Sequence, residues 1–281
     1  MDKSVTYFEN VGRLVVGPVG LLVYLRIIFL LFSRPSYRTR ECYHIMIHIG
    51  IVQCLYAPGV VFYCAKVVLE ADIWNLDAVT LKLCSSVVRM EAVMNVVLAM
   101  NRLKVMLGLR YHSYLHTLVI VCAWMLGVLN FGLLFSPWYD YFITNGEAIA
   151  HYDMSKSLTP LLVTVGIVII VGSSIISLLI YSVIVAYLVK AKKAVGTKLE
   201  GLKEKRILVY ALVKFVFDSL LTCGMYGFLP LPQSAVVDGY VVNNLLIPPA
   251  LLLILNGDIR KDFLPFNGNL LVSVSSLLYT V

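Results

Sequence analysis

Seven long apolar stretches joined by short polar linkers organise the chain, at about 11–32, 43–65, 79–107, 115–135, 158–188, 207–231 and 236–255. At 1.5 Å per residue, roughly 20 residues cross the hydrocarbon core of a bilayer, so each stretch is long enough. None alternates with period two, and backbone polar groups in lipid are otherwise satisfied only in helices. The pattern predicts an all-α membrane protein, a seven-transmembrane helix bundle forming one domain over 1–281, with a short cytoplasmic tail from 256. The linkers leave no room for a second, soluble domain, and the only repeat is the succession of helices itself.

The third stretch departs from the rest. Val79–Leu107 has no Pro or Gly, yet carries Lys82, Arg89, Glu91, Asn95, Asn101 and Arg102. Ionisable groups at membrane depth cost several kcal/mol unless they face protein or water, so this helix is expected at the centre of the bundle. At 100° per residue, Cys84, Glu91, Asn95 and Arg102 fall within about 40° of one another and form one stripe. Lys82 and Arg89 lie roughly 200–220° from Arg102 and need other neighbours. In the sixth stretch Lys214 and Asp218 stand at i, i+4, close enough to pair. Asp218 is twelve residues above Arg206, and Glu91 eleven above Arg102. The two helices therefore present opposite charges at one depth, and Arg89, Glu91, Lys214 and Asp218 are expected to neutralise one another there. Glu91–Lys214 is the favoured pair, since Arg89 points elsewhere, toward the second or fourth helix. Cys84, Glu91, Asp218, Tyr226 and Asn243 are the candidate ligand-facing residues.

Composition agrees with the pattern: of 281 residues 60% are apolar and 14% charged, where a soluble domain carries about 25% charge. Basic residues set the orientation. The loop set 33–42, 102–114, 189–206 and 256–281 holds fifteen Lys and Arg, and the opposite set four. This places the N-terminus outside and the C-terminus in the cytosol of a multi-pass protein, expected in the plasma membrane. The formal net charge of +7 then reports cytoplasmic loops and not nucleic-acid binding. A glycosylation site engineered near Asn145 should be modified and one near Lys198 should not; the reverse pattern would invert the topology.

Smaller features have bland readings. The first segment, with Asp2, Lys3 and Glu9 ahead of it, reads as a retained signal-anchor. Gly17, Pro18 and Gly20 imply a bend or close packing, and Arg26 a side chain reaching for the interface. His44 and His48 are one turn apart without a Cys or acidic partner, which favours packing over metal ligation. Cys54 and Cys122 read as small core residues, and Trp138 and Tyr139 as interfacial rings. The Gly172–Ser174 triplet suggests tight packing, and the third inner loop an extension of the helices beside it. The six cysteines show no zinc spacing, and no cofactor or metal is called for.

Particular blocks resemble a known family. Cys42-Tyr43-His44-Ile45-Met46 through Gly50, Leu98-Ala99-Met100-Asn101-Arg102, and Pro248-Pro249 followed by Leu255-Asn256 and Ile259-Arg260 are similar to the nematode chemoreceptors called serpentine receptor class T. The last block keeps the order and spacing in which the seventh helix of rhodopsin-like receptors ends. The resemblance implies a rhodopsin-like G-protein-coupled receptor architecture with a short amphipathic helix after the seventh span. It also implies a small-molecule ligand bound within the bundle, and a heterotrimeric G protein on the cytoplasmic face. Asn101, Arg102, Pro249, Asn256 and Arg260 are the residues it assigns to coupling and activation. Asn101 stands where many receptors carry an acid, and Leu103 where they carry an aromatic. The second outer loop has no cysteine, so the usual staple from the third helix cannot form.

The leading function is thus a non-enzymatic chemosensory receptor. The alternative is a transporter or channel subunit that uses the charges of helices three and six as a relay. Against it stands the lack of an inverted repeat or of paired broken helices. An intramembrane enzyme would need a catalytic set, and neither H-E-x-x-H nor G-x-S-x-G occurs. Arg102 has a rival reading too, as a charge anchor at the membrane surface.

Overall fold

The computed structural model describes residues 3–69, 75–142, 151–195, 202–225, 229–230 and 232–263. Helix α1 (Lys3–Ser33) is followed by the single turn α2 (Pro35–Arg38), and the second span is built from α3 (Glu41–Cys54) and α4 (Ala57–Leu69). The third span is α5 (Leu76–Leu107) and the fourth α6 (Tyr114–Leu133); a two-residue hairpin, β1 (Tyr141–Phe142) and β2 (His151–Tyr152), leads to α7 (Thr159–Val195). The sixth span, α8 (Leu202–Met225), precedes a seventh made of α9 (Gln233–Val241), a π-turn (Val242–Leu246) and α10 (Ile247–Leu255), after which comes α11 (Gly257–Phe263). Seven of these runs are long and apolar enough to cross a membrane. The ends of the bundle are called inner and outer here as the charge asymmetry predicts. The loops around Asn145 and Lys198, and residues 264–281 of the tail, lie outside the described residues.

α5 stands in the middle, against α3, α4, α6, α7 and α8. Its polar positions dictate this, because each must face protein and the helix has them on two sides. By contrast α7 is apolar nearly all round and turns most of its surface outward: Leu161, Val168 and Leu179 are each over 60% exposed. Lipid solvates such a face. α7 runs to Val195 and α8 starts at Leu202, so both helices continue past the apolar stretch into the third inner loop.

Two spans are broken, for stated reasons. The second breaks at Leu55–Tyr56, because Pro58 has no N–H to give the carbonyl of Cys54. In the seventh, Pro248 and Pro249 withdraw two consecutive donors, and the chain widens into the π-turn just before them. That wider turn buries two adjacent side chains, Asn243 at 1% and Asn244 at 0% exposure. Among the described residues the sixth helix runs to Met225, and it is over before 231: Leu229 is already bent where Pro230 disfavours helix in the residue before it.

The small residues of α1 do pack closely. A Cβ on Gly20 would lie 2.8 Å from the carbonyl oxygen of Leu245, where the π-turn crosses. Gly20→Ala should therefore cost about 1–3 kcal/mol and lower the melting temperature in detergent. Gly132→Ala, where a Cβ meets nothing within 4 Å, should not. Equal melting temperatures would show that this crossing tolerates a shift. The Gly172 triplet behaves otherwise than expected: a Cβ on Gly172 meets nothing within 4 Å. The close approach on α7 is at Gly166, where a Cβ would lie 2.7 Å from the Arg89 guanidinium.

Candidate functional site

The centre of the bundle holds a polar cluster drawn from five spans. Lys214 Nζ lies 2.7 Å from Glu91 Oε1 and 2.7 Å from Asp218 Oδ1, so one ammonium sits between two carboxylates. Gln53 of α3 donates to Glu91 Oε1 at 2.6 Å, and Tyr24 of α1 donates to Gln53 Oε1 at 2.5 Å. On the other side Asn95 donates to Asp218 Oδ2 at 2.9 Å and Asn243 to Asp218 Oδ1 at 2.6 Å. Lys214 also reaches Asn244 Oδ1, at 3.4 Å. Lys214 is 2% exposed, and charges so placed persist in an apolar interior only when paired and hydrogen-bonded. The formal charge of Glu91, Asp218 and Lys214 together is one negative.

A cavity opens beside this cluster, lined by Glu91, Asn95, Ser173, Ser177, Asp218 and Tyr240 among others. About 40 Å³ of it admits the centre of a water molecule. That is room for about three waters.

Of the candidate ligand-facing residues, the structure gathers Glu91, Asp218 and Asn243 here. Cys84 is elsewhere: its Sγ lies 3.5 Å from the carbonyl oxygen of Tyr56 and packs on Gly59, in the break of the second span. Tyr226 lies outside the described residues. Gln53, Asn95 and Asn244 belong to the cluster without having been singled out as site residues. A lone amide within an apolar run was the available signal for Gln53.

The four-charge set of the sequence reading splits in two. Arg89 is buried but meets neither carboxylate, because α5 turns it toward α6 and the outer hairpin. Its guanidinium donates to Asn130 Oδ1 and, at 2.8 Å, to the hydroxyl of Tyr139, with Tyr152 at 3.4 Å. Tyr139, expected as an interfacial ring, is 0% exposed and stacks on Tyr152. Burial pushes the Tyr139 phenol well above its ordinary range in spite of the cation beside it, so no phenolate offsets Arg89. Trp138 is exposed at the outer end of the bundle.

The outer ends are clasped by ion pairs. Arg13 meets Asp238 at 2.6 Å, Lys66 meets Asp77 at 2.8 Å, and Lys82 meets Asp140 at 2.8 Å. Lys82 also donates to the Leu134 carbonyl at 2.9 Å. All six cysteines are free, so this salt bridge ties the third helix to the outer loop without a covalent staple. Lys82→Ala should cost about 1 kcal/mol and speed amide exchange in the outer hairpin. Exchanging the two residues, Lys82→Asp with Asp140→Lys, should recover both; if Lys82→Ala changes neither, the bridge holds nothing.

At the inner end Arg102 is 2% exposed, which excludes a side chain reaching for the membrane surface. Its Nη2 donates to Asn101 Oδ1 at 2.8 Å. Arg102 Nε and Asn101 Nδ2 are buried with no acceptor. Beside them Glu41 takes Lys104 at 3.1 Å and His116 Nδ1 at 2.6 Å, joining the inner ends of α3, α5 and α6. Asn256 donates to the Tyr43 hydroxyl at 2.8 Å and its Oδ1 accepts from the amides of Asp258 and Ile259, capping α11. Pro249 is buried in α10, while Arg260 is exposed on α11. α11 is held from below by Tyr37, whose hydroxyl donates to Asp262 at 2.9 Å, and by Arg26, which donates to the Phe263 carbonyl at 2.8 Å.

Two lesser expectations resolve differently. His48 accepts from Trp124 Nε1 at 3.3 Å, a packing role. Cys122 faces outward instead of into the core, because the inward face of α6 is the one that carries His116 to Glu41 and Asn130 to Arg89 and Ser86.

With this geometry in view, the chain is similar to squid rhodopsin, with a TM-score of 0.73 over 93% of this chain and 85% of that one, at 14% sequence identity. No family model matches the sequence. No curated protein matches it either. The likeness establishes the fold, a seven-helix bundle of the rhodopsin-like kind, and the seven apolar helices make it a multi-pass integral membrane protein.

Proposed function

We propose that the chain is a G-protein-coupled chemosensory receptor that binds a small molecule within its bundle, of the kind its class T serpentine motifs resemble. It would sit in the plasma membrane with its N-terminus outside and signal to a heterotrimeric G protein without catalysis. The carrying observation is the inner end of α5. Arg102 and Asn101 keep two N–H groups, Nε and Nδ2, buried with no acceptor, and a buried unpaired donor costs about 1–3 kcal/mol. Donors stored at that cost are used once α8 swings outward and the carbonyl groups of a Gα helix enter. Asn101, Arg102, Pro249, Asn256 and Arg260 would then carry coupling, and Glu91, Asp218 and Asn243 the ligand side.

The test is expression with a promiscuous Gα and a screen of volatile and water-soluble metabolites. A response that requires the Gα is expected. A current independent of Gα would overturn the receptor reading in favour of a conducting protein.

A further inference from the structure

Arg110-Tyr111-His112-Ser113 is the only place in the sequence where a Ser or Thr stands three residues after an Arg. That spacing is what basophilic serine/threonine kinases read, by charge-assisted hydrogen bonds from the guanidinium to carboxylates in their cleft. Its place in the fold suits such a reader. α5 stops at Leu107, where Gly108 takes the left-handed conformation with φ 64°. Residues 109–112 belong to no helix, and Arg110, His112 and Ser113 are exposed. Ser113 directly precedes α6 and its side chain makes no capping bond to the first turn, while Tyr114 is 72% exposed. Opening the first residues of α6 into the extended form that a kinase cleft takes therefore breaks little. The linker lies at the end of the bundle that the charge asymmetry places in the cytosol, where such kinases and their nucleotide are.

A second observation is independent of the motif. The surroundings of the hydroxyl favour the phosphorylated product. Ser113 Oγ accepts from Lys104 Nζ at 2.9 Å, so a cation already faces the oxygen that would carry the phosphate. The same oxygen stands at the N-terminus of a 20-residue helix, where the partial positive charge of the first turn stabilises an anion. Lys104 is free to turn to it: its carboxylate partner, Glu41, is also held by His116 at 2.6 Å.

We infer that Ser113 is a phosphorylation site for a basophilic serine/threonine kinase, and that the phosphate is then held by Lys104 and the first turn of α6. In the transfer, Ser113 Oγ forms a bond to the γ-phosphorus of a magnesium-bound nucleoside triphosphate. The bond from that phosphorus to the β-phosphate oxygen breaks, the diphosphate leaves, and the hydroxyl proton passes to a carboxylate of the kinase. The phosphate brings about two negative charges. These draw Lys104 from Glu41 and fasten the inner end of α5 to the start of α6. The site goes beyond the receptor reading, since it needs only a cytosolic linker.

The test uses the full chain in nanodiscs, which leave both ends of the bundle open, with the catalytic domain of a calmodulin-dependent kinase and magnesium ATP. Phosphopeptide mapping should place a phosphate on Ser113, and Ser113→Ala should lose it. Arg110→Gln should slow incorporation about tenfold or more, the worth of a lost charge-assisted hydrogen bond. Arg38→Gln, at an equally exposed arginine with no hydroxyl three residues on, should not. Amide exchange over residues 114–117 should slow once Ser113 is phosphorylated, and should slow less when Lys104→Gln carries the phosphate. No phosphate on Ser113, or incorporation at the wild-type rate by Arg110→Gln, would overturn the inference. Exchange that is unchanged or faster in the phosphorylated protein would overturn the seat assigned to the phosphate. A phosphorylated Ser113 in a chain that gives no Gα response would leave this site standing and remove the receptor reading.

Discussion

Lys214→Met is expected to abolish accumulation of folded protein, whereas Glu91→Gln is expected to be tolerated. Lys214 is the common partner of two carboxylates, each 2.7 Å from its Nζ. Its removal strands two like charges in the middle of the bundle. Losing one member of a buried pair costs on the order of 3–5 kcal/mol, and here two acceptors are left at once. Glu91→Gln, by contrast, leaves a neutral Lys214–Asp218 pair, and the new amide oxygen still accepts from Gln53. Its cost should stay within about 1–2 kcal/mol. Lys214→Met combined with Glu91→Gln and Asp218→Asn should recover folding, since replacing a whole buried ion cluster by neutral groups is often harmless. The measurement is the monodisperse yield and melting temperature of each variant in one detergent. If Lys214→Met melts with the wild type, or Glu91→Gln is the worse of the two, the cluster does not carry the charge balance described.

How much of this was legible beforehand depended on whether a helix period could reach it. Glu91 facing the sixth helix, and Lys214 at its depth, follow from 100° and 1.5 Å per residue applied to two uninterrupted helices. The same arithmetic turned Arg89 away from them. It could not name Arg89's partners, since Tyr139 and Tyr152 come from a loop and a hairpin whose path no periodicity encodes. Asn244 was hidden for a related reason: it lies in the π-turn before Pro248, a local widening that no helix period encodes. Pro58 was visible in the sequence, but a proline inside a long apolar run reads equally as a kink or as a tolerated residue. The openness around Gly172 was not legible, because a helix as uniformly apolar as α7 gives no preferred face to the core.

Arg102→Met is expected to remove G-protein coupling while leaving the folded protein as stable as the wild type or more so. Arg102 is fully enclosed, bonded through Nη2 to Asn101 and left without an acceptor at Nε. A buried cation with one neutral partner is held at a cost, and an apolar side chain of similar length relieves it. The melting temperature of Arg102→Met should therefore hold or rise, and its ligand-induced thermal shift should be unchanged. Coupling should fall on the order of a hundredfold, because hydrogen bonds from a charged group contribute about 1.5–3 kcal/mol each and at least one would be lost. Arg102→Lys should fall between, since it keeps the charge but not the planar fork that meets two carbonyls together. Asn101 has no proton to release, so the loss should be the same from pH 6 to pH 8. Nucleotide exchange on a purified Gα, at matched receptor amounts in nanodiscs, measures it. Undiminished exchange by Arg102→Met would confine Arg102 to packing. Loss of exchange with a collapsed melting temperature would make Arg102 a fold-stabilising residue instead.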